Sequence, residues 1–497
     1  MNRRAFIGSV ASGLAAAGSS GGVASVLELG LSSVATGSDE RKSRPNILFI
    51  IADDLMFRTI RALNNHEIHT PNLDRLAQRG CAFTHCFHQG SWSGAVCIPS
   101  RTMLNSGLSA FHAEHGIERV RLWGQTFGAA GYRTAICGKW HLDPVELGRS
   151  FRENVIVAPG FLESTPENGD AYHRPHAGDT WDPSDLEQKG HWIHTNLWLD
   201  ESPDRVEHSS ELYANQAIRY LTHVAPSRKQ PFFLYIGFNA PHDPRQAPKE
   251  FLDLYPEDKI EIPPNYLPSH PFDQGDAKVR DEVLAPFPRT EEAVRLHRRE
   301  YYAIISHLDH EIGRILDALE HTGQAANTYV ILTADHGLAV GEHGLFGKQN
   351  LYDCSVRMPL LISGPGVPAG RRVDELVYQH SMYATTCELA GIPAPSTVEF
   401  PSLVPLLRGD APPEHDAVFC YYLNYQRSVR TKTHKLIVYP KARRMQLFDV
   451  EHDPWEIHDL SQDPASAPIK SVLVDRLRRF QKELDDPLDI ESLLSEA

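Results

Sequence analysis

Short runs of consecutive apolar residues recur along the chain and alternate with segments whose apolar positions have a helical period. Such runs indicate strands that are buried on both faces, because a half-exposed strand alternates apolar and polar positions. Strands that alternate with helices are typical of a mainly parallel sheet. The predicted strands of this sheet are 47–52, 133–137, 232–238 and 329–333.

Two helices have clear boundary signals. Thr70 and Pro71 are a cap residue followed by a proline suited to the first turn, and the apolar stripe that they begin ends at Gly80. A longer helix is predicted at about 294–321, with one buried apolar stripe that ends before Gly323. We therefore predict an α/β fold, in which a large, mostly parallel central sheet is flanked by helices.

The apolar pattern weakens after residue 395. Two short strands, 435–438 and 445–450, predict a small antiparallel sheet in this region. Two irregular polar stretches, 181–204 and 263–288, are predicted as long loops over the main sheet, where loops often shape substrate pockets. The predicted domains are a large α/β domain at 45–395 and a smaller C-terminal α+β subdomain at 396–497.

The N-terminal residues resemble an export signal. Arg3 and Arg4 precede a short stretch rich in alanine and glycine, a pattern typical of a twin-arginine signal, although a frayed helix is the alternative. We predict a signal peptide at 1–35 and a linker at 36–44. No later stretch approaches the roughly 20 apolar residues that span a bilayer. The protein is therefore expected to be periplasmic or secreted, without a stable membrane span.

Charge and cysteine content exclude several classes of protein. The formal net charge of -15 argues against a general nucleic-acid binder, which needs a basic surface, so an anionic substrate must be held by local cations. The 7 cysteines are too few and too scattered for a disulfide framework. Their odd number leaves at least one thiol unpaired or chemically altered.

Polar side chains follow each predicted strand of the main sheet. The carboxyl ends of parallel strands meet at one edge, where open α/β sheets bind ligands. We therefore expect side chains from remote segments to converge in one crevice. These side chains are Asp53, Asp54, Lys139, His141, His242, Asp335 and His336.

Two acidic pairs among these residues suggest a metal site. Asp53, Asp54 and Asp335 would repel one another unless a cation neutralised them, and His336 adds an imidazole. Oxygen-rich ligation favours a hard ion such as calcium or magnesium. A single acidic pair could equally cap a helix, but acidic pairs at two strand ends favour the metal.

Cys97 is the candidate nucleophile. It precedes a predicted short helix at 100–104, and a helix N-terminus stabilises negative charge. Arg101 adds a positive charge one turn later, which suits a reactive thiol, although a structural thiol is the commoner role of a cysteine.

The segment Cys97-Ile98-Pro99-Ser100-Arg101, which ends at Ser106-Gly107, resembles the signature of the formylglycine-dependent sulfatases, in the alkaline-phosphatase-like superfamily. One departure is Asn105-Ser106, where the signature usually has Leu-Thr. The resemblance extends from about Pro45 to the C-terminus. Its further motifs, in the family's order, are Pro45-Asn46-Ile47 before Asp53-Asp54, Gly138-Lys139-Trp140-His141, Ala240-Pro241-His242, Asp335-His336-Gly337, Gly344-Leu345-Phe346-Gly347-Lys348, Leu447-Phe448-Asp449 and Asp453-Pro454-Trp455-Glu456.

The resemblance implies the cofactors and the first step of a reaction. A formylglycine-generating or sulfatase-maturating enzyme would oxidise Cys97, and a calcium ion or, alternatively, magnesium would be bound by residue 97 with Asp53, Asp54, Asp335 and His336. One hydroxyl of hydrated formylglycine would attack sulfur, with Asp335 activating it.

The resemblance also implies roles for the remaining polar residues. His242 and Lys348 would bind the sulfate or donate a proton to the leaving oxygen, and Lys139 and Arg101 would orient the hydroxyls. His141 would take the proton from the second hydroxyl and so release sulfate. The substrate is expected to be a sulfate ester, most simply of a carbohydrate.

There are two alternatives, one in the same superfamily and one in a different class of protein. A phosphatase, phosphodiesterase or phosphonate monoester hydrolase of the same superfamily acts on esters of the same tetrahedral geometry. Phosphatases usually have serine or threonine as nucleophile and bind two transition metals, whereas this chain has Cys97 and one hard-cation site. A catalytically silent glycan-binding protein is disfavoured because every expected catalytic position is filled.

Overall fold

A computed structural model of the chain describes residues 44–158, 208–243, 245, 247–276, 279–410 and 415–494. The predicted signal peptide, all of the predicted linker except Arg44, and the predicted loop at 181–204 lie outside the described residues. The other predicted loop, 263–288, has a single short 3₁₀ turn at Glu282–Leu284 among its described residues, so the prediction of an irregular segment is confirmed there.

A large mixed sheet forms the centre of the protein. Its strands are β1 (Asn46–Ala52), β2 (Cys81–Phe87), β4 (Arg133–Lys139), β5 (Glu153–Ala158), β6 (Phe232–Gly237), β7 (Thr328–Ala334), β8 (Arg357–Ser363) and β9 (Arg371–Tyr378); β3 (Gly90–Ser91) belongs to a second sheet. The order across the large sheet is β5-β4-β6-β1-β7-β8-β2-β9. All neighbouring pairs are parallel except those of β8, which runs antiparallel to β7 and β2.

The burial of the central strands explains why their sequences are continuously apolar. Every residue of β1 is buried, because β6 and β7 pair with its two edges and helices cover the sheet. The predicted α/β fold with a large, mostly parallel sheet is confirmed. The sequence did not predict β2, β5, β8 and β9; polar residues interrupt the apolar run in β2 and β9, whereas in β5 and β8 they lie only at the ends of the strand.

One predicted strand ends two residues too early. The prediction stopped β4 at Cys137, before Gly138, whereas β4 continues through Lys139. Gly138 pairs with Gly237 of β6, and a Cβ on Gly138 would lie 2.1 Å from the Gly237 carbonyl oxygen, so glycine is required for this close approach. Lys139 is therefore the last residue of the strand and not a residue beyond it.

Helices pack around the sheet and largely match the predictions. The helix predicted at 294–321 begins earlier, at Glu291, because the Thr290 side chain accepts a hydrogen bond from the Ala293 amide and caps the first turn. The helices are α1 (Pro71–Arg79), α2 (Cys97–Ser106), α3 (Ala110–Gly116), α4 (Trp123–Ala129), α5 (Pro144–Ser150), α6 (Ser209–Arg219), α7 (Lys249–Leu252), α8 (Glu291–His321), α9 (Asp353–Val356), α10 (Met382–Leu389), α11 (Val404–Arg408), α12 (Ala467–Glu483) and α13 (Glu491–Leu494).

The C-terminal region contains the predicted antiparallel sheet. Its strands are β10 (Val418–Tyr422), β11 (Gln426–Arg430), β12 (His434–Tyr439) and β13 (Arg444–Asp449), which pair in sequence order, and β3 adds to the edge of β10. The chain segment 90–91 thus joins the C-terminal sheet. The domain boundary at residue 395 stays a prediction.

Among the described residues, no helix combines the length and apolar character needed to cross a membrane.

The strand order brings four chemically important strand ends together. β4, β6, β1 and β7 are consecutive neighbours and run parallel, so their carboxyl ends lie at one edge of the sheet. The convergence that the sequence predicted therefore follows from the observed topology.

Candidate active site

Asp53 and Asp54 directly follow β1, and hydrogen bonds hold their backbone to the segments that follow β6 and β7. The Asp53 amide donates to the Ala240 carbonyl at 3.2 Å, and the Asp54 amide donates to Asp335 Oδ1 at 3.2 Å. Asp54 has a φ of 68°, a left-handed value that Asp tolerates better than most side chains. Both carboxylates are completely buried.

The loop after β7 supplies Asp335 and His336. The Asp335 carbonyl accepts hydrogen bonds from Ser100 Oγ at 2.6 Å and Gln379 Nε2 at 3.1 Å, which fix the backbone here. The Nδ1 of His336 donates to the Gly337 carbonyl at 2.9 Å. This bond leaves Nε2 directed at carboxylates, 3.2 Å from Asp54 Oδ1 and 3.6 Å from Asp335 Oδ1.

These groups fit a divalent cation. Asp53, Cys97, Asp335 and His336 each offer one ligand atom, and these atoms lie within 4.8 Å of one another. Asp53 Oδ1 and His336 Nε2 are buried and have no hydrogen-bond partner among the described residues. Burial lowers the pKa of His336, but the carboxylates of Asp335 and Asp54 outweigh burial and raise it to about 9. The cluster therefore attracts positive charge, and a hard cation would satisfy its orphaned atoms.

Three cationic side chains form ion pairs with the carboxylates of this cluster. The ammonium of Lys139 contacts Asp53, Arg101 Nε lies 3.0 Å from Asp335 Oδ2, and Lys348 Nζ lies 2.8 Å from Asp54 Oδ1. Although burial raises the pKa of Asp53, Lys139 and neighbouring cations hold it well below its usual range. These cations lower the repulsion among the carboxylates.

Cys97 is the first residue of α2, so this helix is longer than the predicted 100–104. Pro99 fits the first turn, where a proline's missing N–H needs no partner. The thiol is 2% exposed, and its Sγ lies 4.0 Å from Lys348 Nζ. Arg101 points from α2 to Asp335 and the Lys139 carbonyl, so Lys348 is the cation beside the thiol.

Two histidines complete the site at the ends of β4 and β6. Burial, followed by the charge of Lys139, lowers the pKa of His141 to about 3, and its Nδ1 has no hydrogen-bond partner among the described residues. The Nδ1 of His242 donates to the Asp243 carbonyl at 2.7 Å, which leaves Nε2 4.0 Å from Asp54 Oδ2. Burial and Lys348 also lower the pKa of His242. Both imidazoles are thus neutral near pH 7 and able to accept protons.

The structure brings together every residue that the sequence nominated, and it adds others. Ser100 and Gln379 support the Asp335 backbone. Asp243, Asp281 and Gln349 surround His242 and Lys348. Asp243 directly follows His242 and Gln349 directly follows Lys348, so proximity to predicted site residues could have indicated both. Gln379 and Asp281 lie in segments without a motif, and no sequence signal indicated them.

Comparison with protein families identifies this arrangement. The family described as Sulfatase matches residues 45–392, and the one described as N-sulphoglucosamine sulphohydrolase, C-terminal, matches residues 341–483. The chain belongs to the sulfatase family. It is therefore a sulfuric-ester hydrolase of the alkaline-phosphatase-like superfamily.

Individual sulfatases and related structures agree over most of the chain. The chain is 29% identical to a protein named Sulfatase from Formosa agariphila, with 86% of this chain and 87% of that protein covered. It is 26% identical to the N-acetylglucosamine-6-O-sulfatase of Bacteroides thetaiotaomicron, with 94% and 92% covered.

Two solved structures have a similar fold. One was determined in complex with its substrate D-glucosamine-2-N,6-O-disulfate and has a TM-score of 0.68 at 21% identity, covering 90% of this chain and 99% of that one. The phosphonate monoester hydrolase of Agrobacterium radiobacter has a TM-score of 0.68 at 22% identity, covering 89% and 96%. The alkaline-phosphatase-like fold of this sulfatase is thereby confirmed.

Proposed function

We propose that this sulfatase releases sulfate from a sulfated carbohydrate, with formylglycine at position 97 as nucleophile and a calcium ion bound by Asp53, Asp54, Asp335 and His336. The observation that supports the proposal is the convergence of Cys97 Sγ with ligand atoms of Asp53, Asp335 and His336 within 4.8 Å. Carboxylate oxygens favour a hard cation, and magnesium is the alternative to calcium. The cation would supply Lewis-acid activation of a hydroxyl on residue 97.

In the first step, with hydrated formylglycine at position 97, one of its hydroxyls would attack the sulfur of the ester. Asp335 accepts the hydroxyl proton, and the bond between sulfur and the ester oxygen breaks. Lys348, which lies 4.0 Å from the atom at position 97, binds the sulfate oxygens. A proton reaches the leaving alcohol from the Lys348 ammonium, or from His242 once this imidazole has taken up a proton. Covalent catalysis splits one difficult displacement into two easier steps.

In the second step, His141 removes the proton from the other hydroxyl of residue 97. The formylglycine carbonyl would then re-form as the carbon–oxygen bond to the sulfate breaks, which would release sulfate. A pKa of about 3 keeps His141 unprotonated, as this base role requires. Its φ of 64° is a strained value at the strand end where this base is presented.

The carbohydrate substrate is supported by the relatives. One is named for N-acetylglucosamine 6-O-sulfate chemistry, and one solved neighbour binds a disulfated glucosamine. Because a phosphonate monoester hydrolase has a similar fold, hydrolysis of a phosphonate or phosphate ester is the second candidate function. Parallel rates on 4-nitrophenyl sulfate, 4-nitrophenyl phosphate and phenyl phosphonate esters test the choice. The sulfate ester should be the fastest, and faster phosphate or phosphonate turnover would reverse the assignment.

The nucleophile is tested directly by mass spectrometry and by substitution. The peptide that contains residue 97 should have lost the thiol mass and gained that of an aldehyde. Cys97→Ala should abolish sulfate release while the protein stays folded, and Cys354→Ala, at another buried thiol, should stay active. An active Cys97→Ala variant would exclude the proposed nucleophile.

We also propose export by the twin-arginine route to the periplasm or medium, after a formylglycine-generating or sulfatase-maturating enzyme has acted. The burial of Cys97, which is 2% exposed, supports oxidation before or during folding. Replacing Arg3 and Arg4 by lysine should retain an active, modified enzyme in the cytoplasm. A retained form with an intact thiol, beside a modified exported form, would contradict this order.

A further inference from the structure

A chain of hydrogen bonds that the reaction does not use runs along one side of the active site. Arg280 Nη1 donates to Asp243 Oδ2 at 2.9 Å, and Arg280 Nη2 contacts Asp281 Oδ1. Gln349 Nε2 donates to Asp281 Oδ2 at 2.8 Å and to the Gly94 carbonyl at 3.0 Å. We call these five residues the rim network.

The rim network connects the three segments that present the reactive groups. Asp243 directly follows His242, and its Oδ1 lies 3.1 Å from His242 Nδ1. Gln349 directly follows Lys348, and its Oε1 accepts a hydrogen bond from the Lys348 amide at 3.0 Å. Gly94 lies three residues before Cys97. The network therefore links the segments that present His242, Lys348 and Cys97.

Arg280 is the exposed charge of the rim network. Its side chain is 44% exposed, whereas the side chains of Asp243 and Asp281 are 2% and 5% exposed. Carboxylates on both sides restrict the rotamers of Arg280 and hold the guanidinium in one place. A guanidinium fixed in this way can donate hydrogen bonds to a ligand at a low cost in conformational entropy.

We propose that Arg280 is a specificity-determining residue that donates hydrogen bonds to the hydroxyl groups of a sugar with no charged group other than the sulfate to be cleaved. This proposal rests on the proposed sulfatase reaction, because it takes the sulfate to lie between Lys348, His242 and residue 97. It adds the substrate class that this sulfatase selects.

The charges around Arg280 support a substrate sugar whose only charged group is the sulfate to be cleaved. Asp243 and Asp281 already neutralise the guanidinium. A third carboxylate, Asp276, accepts a hydrogen bond at 2.7 Å from the hydroxyl of Tyr422, which lies beside Gly94. Lys348 also acts on Asp243 and Asp281, and Arg245 acts on Asp243, so the charges of this region are balanced among the described residues. A uronate or a second sulfate would therefore gain little from the neutralised Arg280, whereas hydroxyl groups can both accept from Arg280 and donate to a carboxylate.

The experiment compares the wild-type enzyme with Arg280→Gln on two kinds of substrate. The first is 4-nitrophenyl sulfate, and the second is a panel of monosulfated hexoses and N-acetylhexosamines with matched sugars that have an additional uronate or sulfate group. Wild-type turnover of 4-nitrophenyl sulfate establishes the sulfatase reaction independently. On the best sugar, Arg280→Gln should lower kcat/KM by roughly tenfold or more, and the loss on the aryl ester, which reports only the altered surroundings of His242, should be several-fold smaller. Arg280→Lys should restore part of the loss.

Arg478 offers a matched control. It also lies between two carboxylates, Asp475 at 3.1 Å and Glu491 at 2.6 Å, and its side chain is 37% exposed. Arg478→Gln should leave both substrates unaffected. Equal losses on sugar and aryl sulfate in Arg280→Gln, faster turnover of the doubly charged sugars, or no turnover of any monosulfated sugar would each overturn the proposal.

Discussion

The guanidinium of Arg58 lies 2.5 Å from the carboxylate of Glu342 and joins the loop after β1 to the loop between Asp335 and Lys348. Arg58 also stacks on the ring of Trp455 at 3.9 Å and donates to the Pro454 carbonyl at 3.0 Å. The C-terminal motif thus contacts Arg58, which in turn joins the loops that present Asp53, Asp54 and Asp335. The motif lies far from Cys97 in the sequence, so the sequence did not indicate that it lies near the active site.

Replacing Arg58 should destabilise the protein. In Arg58→Met, Glu342 keeps the hydrogen bond from Asn265 but loses its cation, and its side chain is only 1% exposed. A buried charge that loses its partner costs about 3 kcal/mol. Urea unfolding measures this loss. Arg75→Met is the control, because its partner Asp317 is 52% exposed and such pairs contribute about 1 kcal/mol or less. Equal effects in the two variants would contradict the role of Arg58.

Metal binding should stabilise the protein through Asp335. Removal of metal with a chelator should lower Tm, and added calcium should restore it, because a ligand that binds only the folded state stabilises that state. Asp335→Asn should remove this response. Asp449→Asn is the control: Asp449, Glu451 and His452 also cluster, but Glu451 and His452 are exposed. A full calcium response in Asp335→Asn would contradict the site, and a larger response to magnesium would change the assigned ion.

His141→Ala should separate the two steps of the reaction. Attack on sulfur does not need His141, so one equivalent of alcohol should be released rapidly from 4-nitrophenyl sulfate. Sulfate release should then be slow, because no base removes the proton from the second hydroxyl. Rapid-quench measurement of 4-nitrophenol detects this burst, and the mass of the residue 97 peptide should rise by one sulfo group. Steady slow turnover without a burst would contradict the assigned role.

The sequence predicted the parts of the fold in which neighbouring residues determine the outcome. The runs at β1, β4, β6 and β7 are apolar because both faces of these strands are buried, and their carboxyl ends locate the site. Edge strand β9 was missed because its exposed positions, such as Arg372 and Asp374, interrupt the apolar pattern.

The sequence predicted that remote segments converge, but not which charged side chains pair with one another there. Lys139 and Arg101 were expected to orient the hydroxyls of residue 97, and their roles stay predictions. The structure shows their cationic groups against Asp53 and Asp335, respectively. The Arg280 contacts with Asp243 and Asp281 likewise depend on how a loop without a motif lies over the sheet. Such pairings follow from tertiary packing and leave no periodic signal in the sequence.

The stability of the protein should fall as the pH drops below about 6.5, in part through His88. This residue is 2% exposed, and its Nδ1 accepts a hydrogen bond from the Gly90 amide at 2.8 Å, which requires an unprotonated nitrogen. Burial, with His336 nearby, lowers its pKa from 6.5 to about 3. Between these values the unfolded chain binds a proton that the folded protein does not. Each unit of falling pH therefore costs up to about 1.4 kcal/mol, and above pH 6.5 the effect vanishes.

His88→Asn keeps an acceptor for the Gly90 amide but removes the titration, so its free energy of unfolding should vary less steeply with pH. Urea unfolding in chelator at several pH values between 5 and 8 measures the slope. Asp309 provides a control of opposite sign, because burial raises its pKa from 3.8 to about 6. The folded state then binds the additional proton as pH falls, which stabilises it, so Asp309→Asn should steepen the acid limb. An unchanged slope in His88→Asn would mean that His88 is protonated in the folded protein, with the Gly90 hydrogen bond broken.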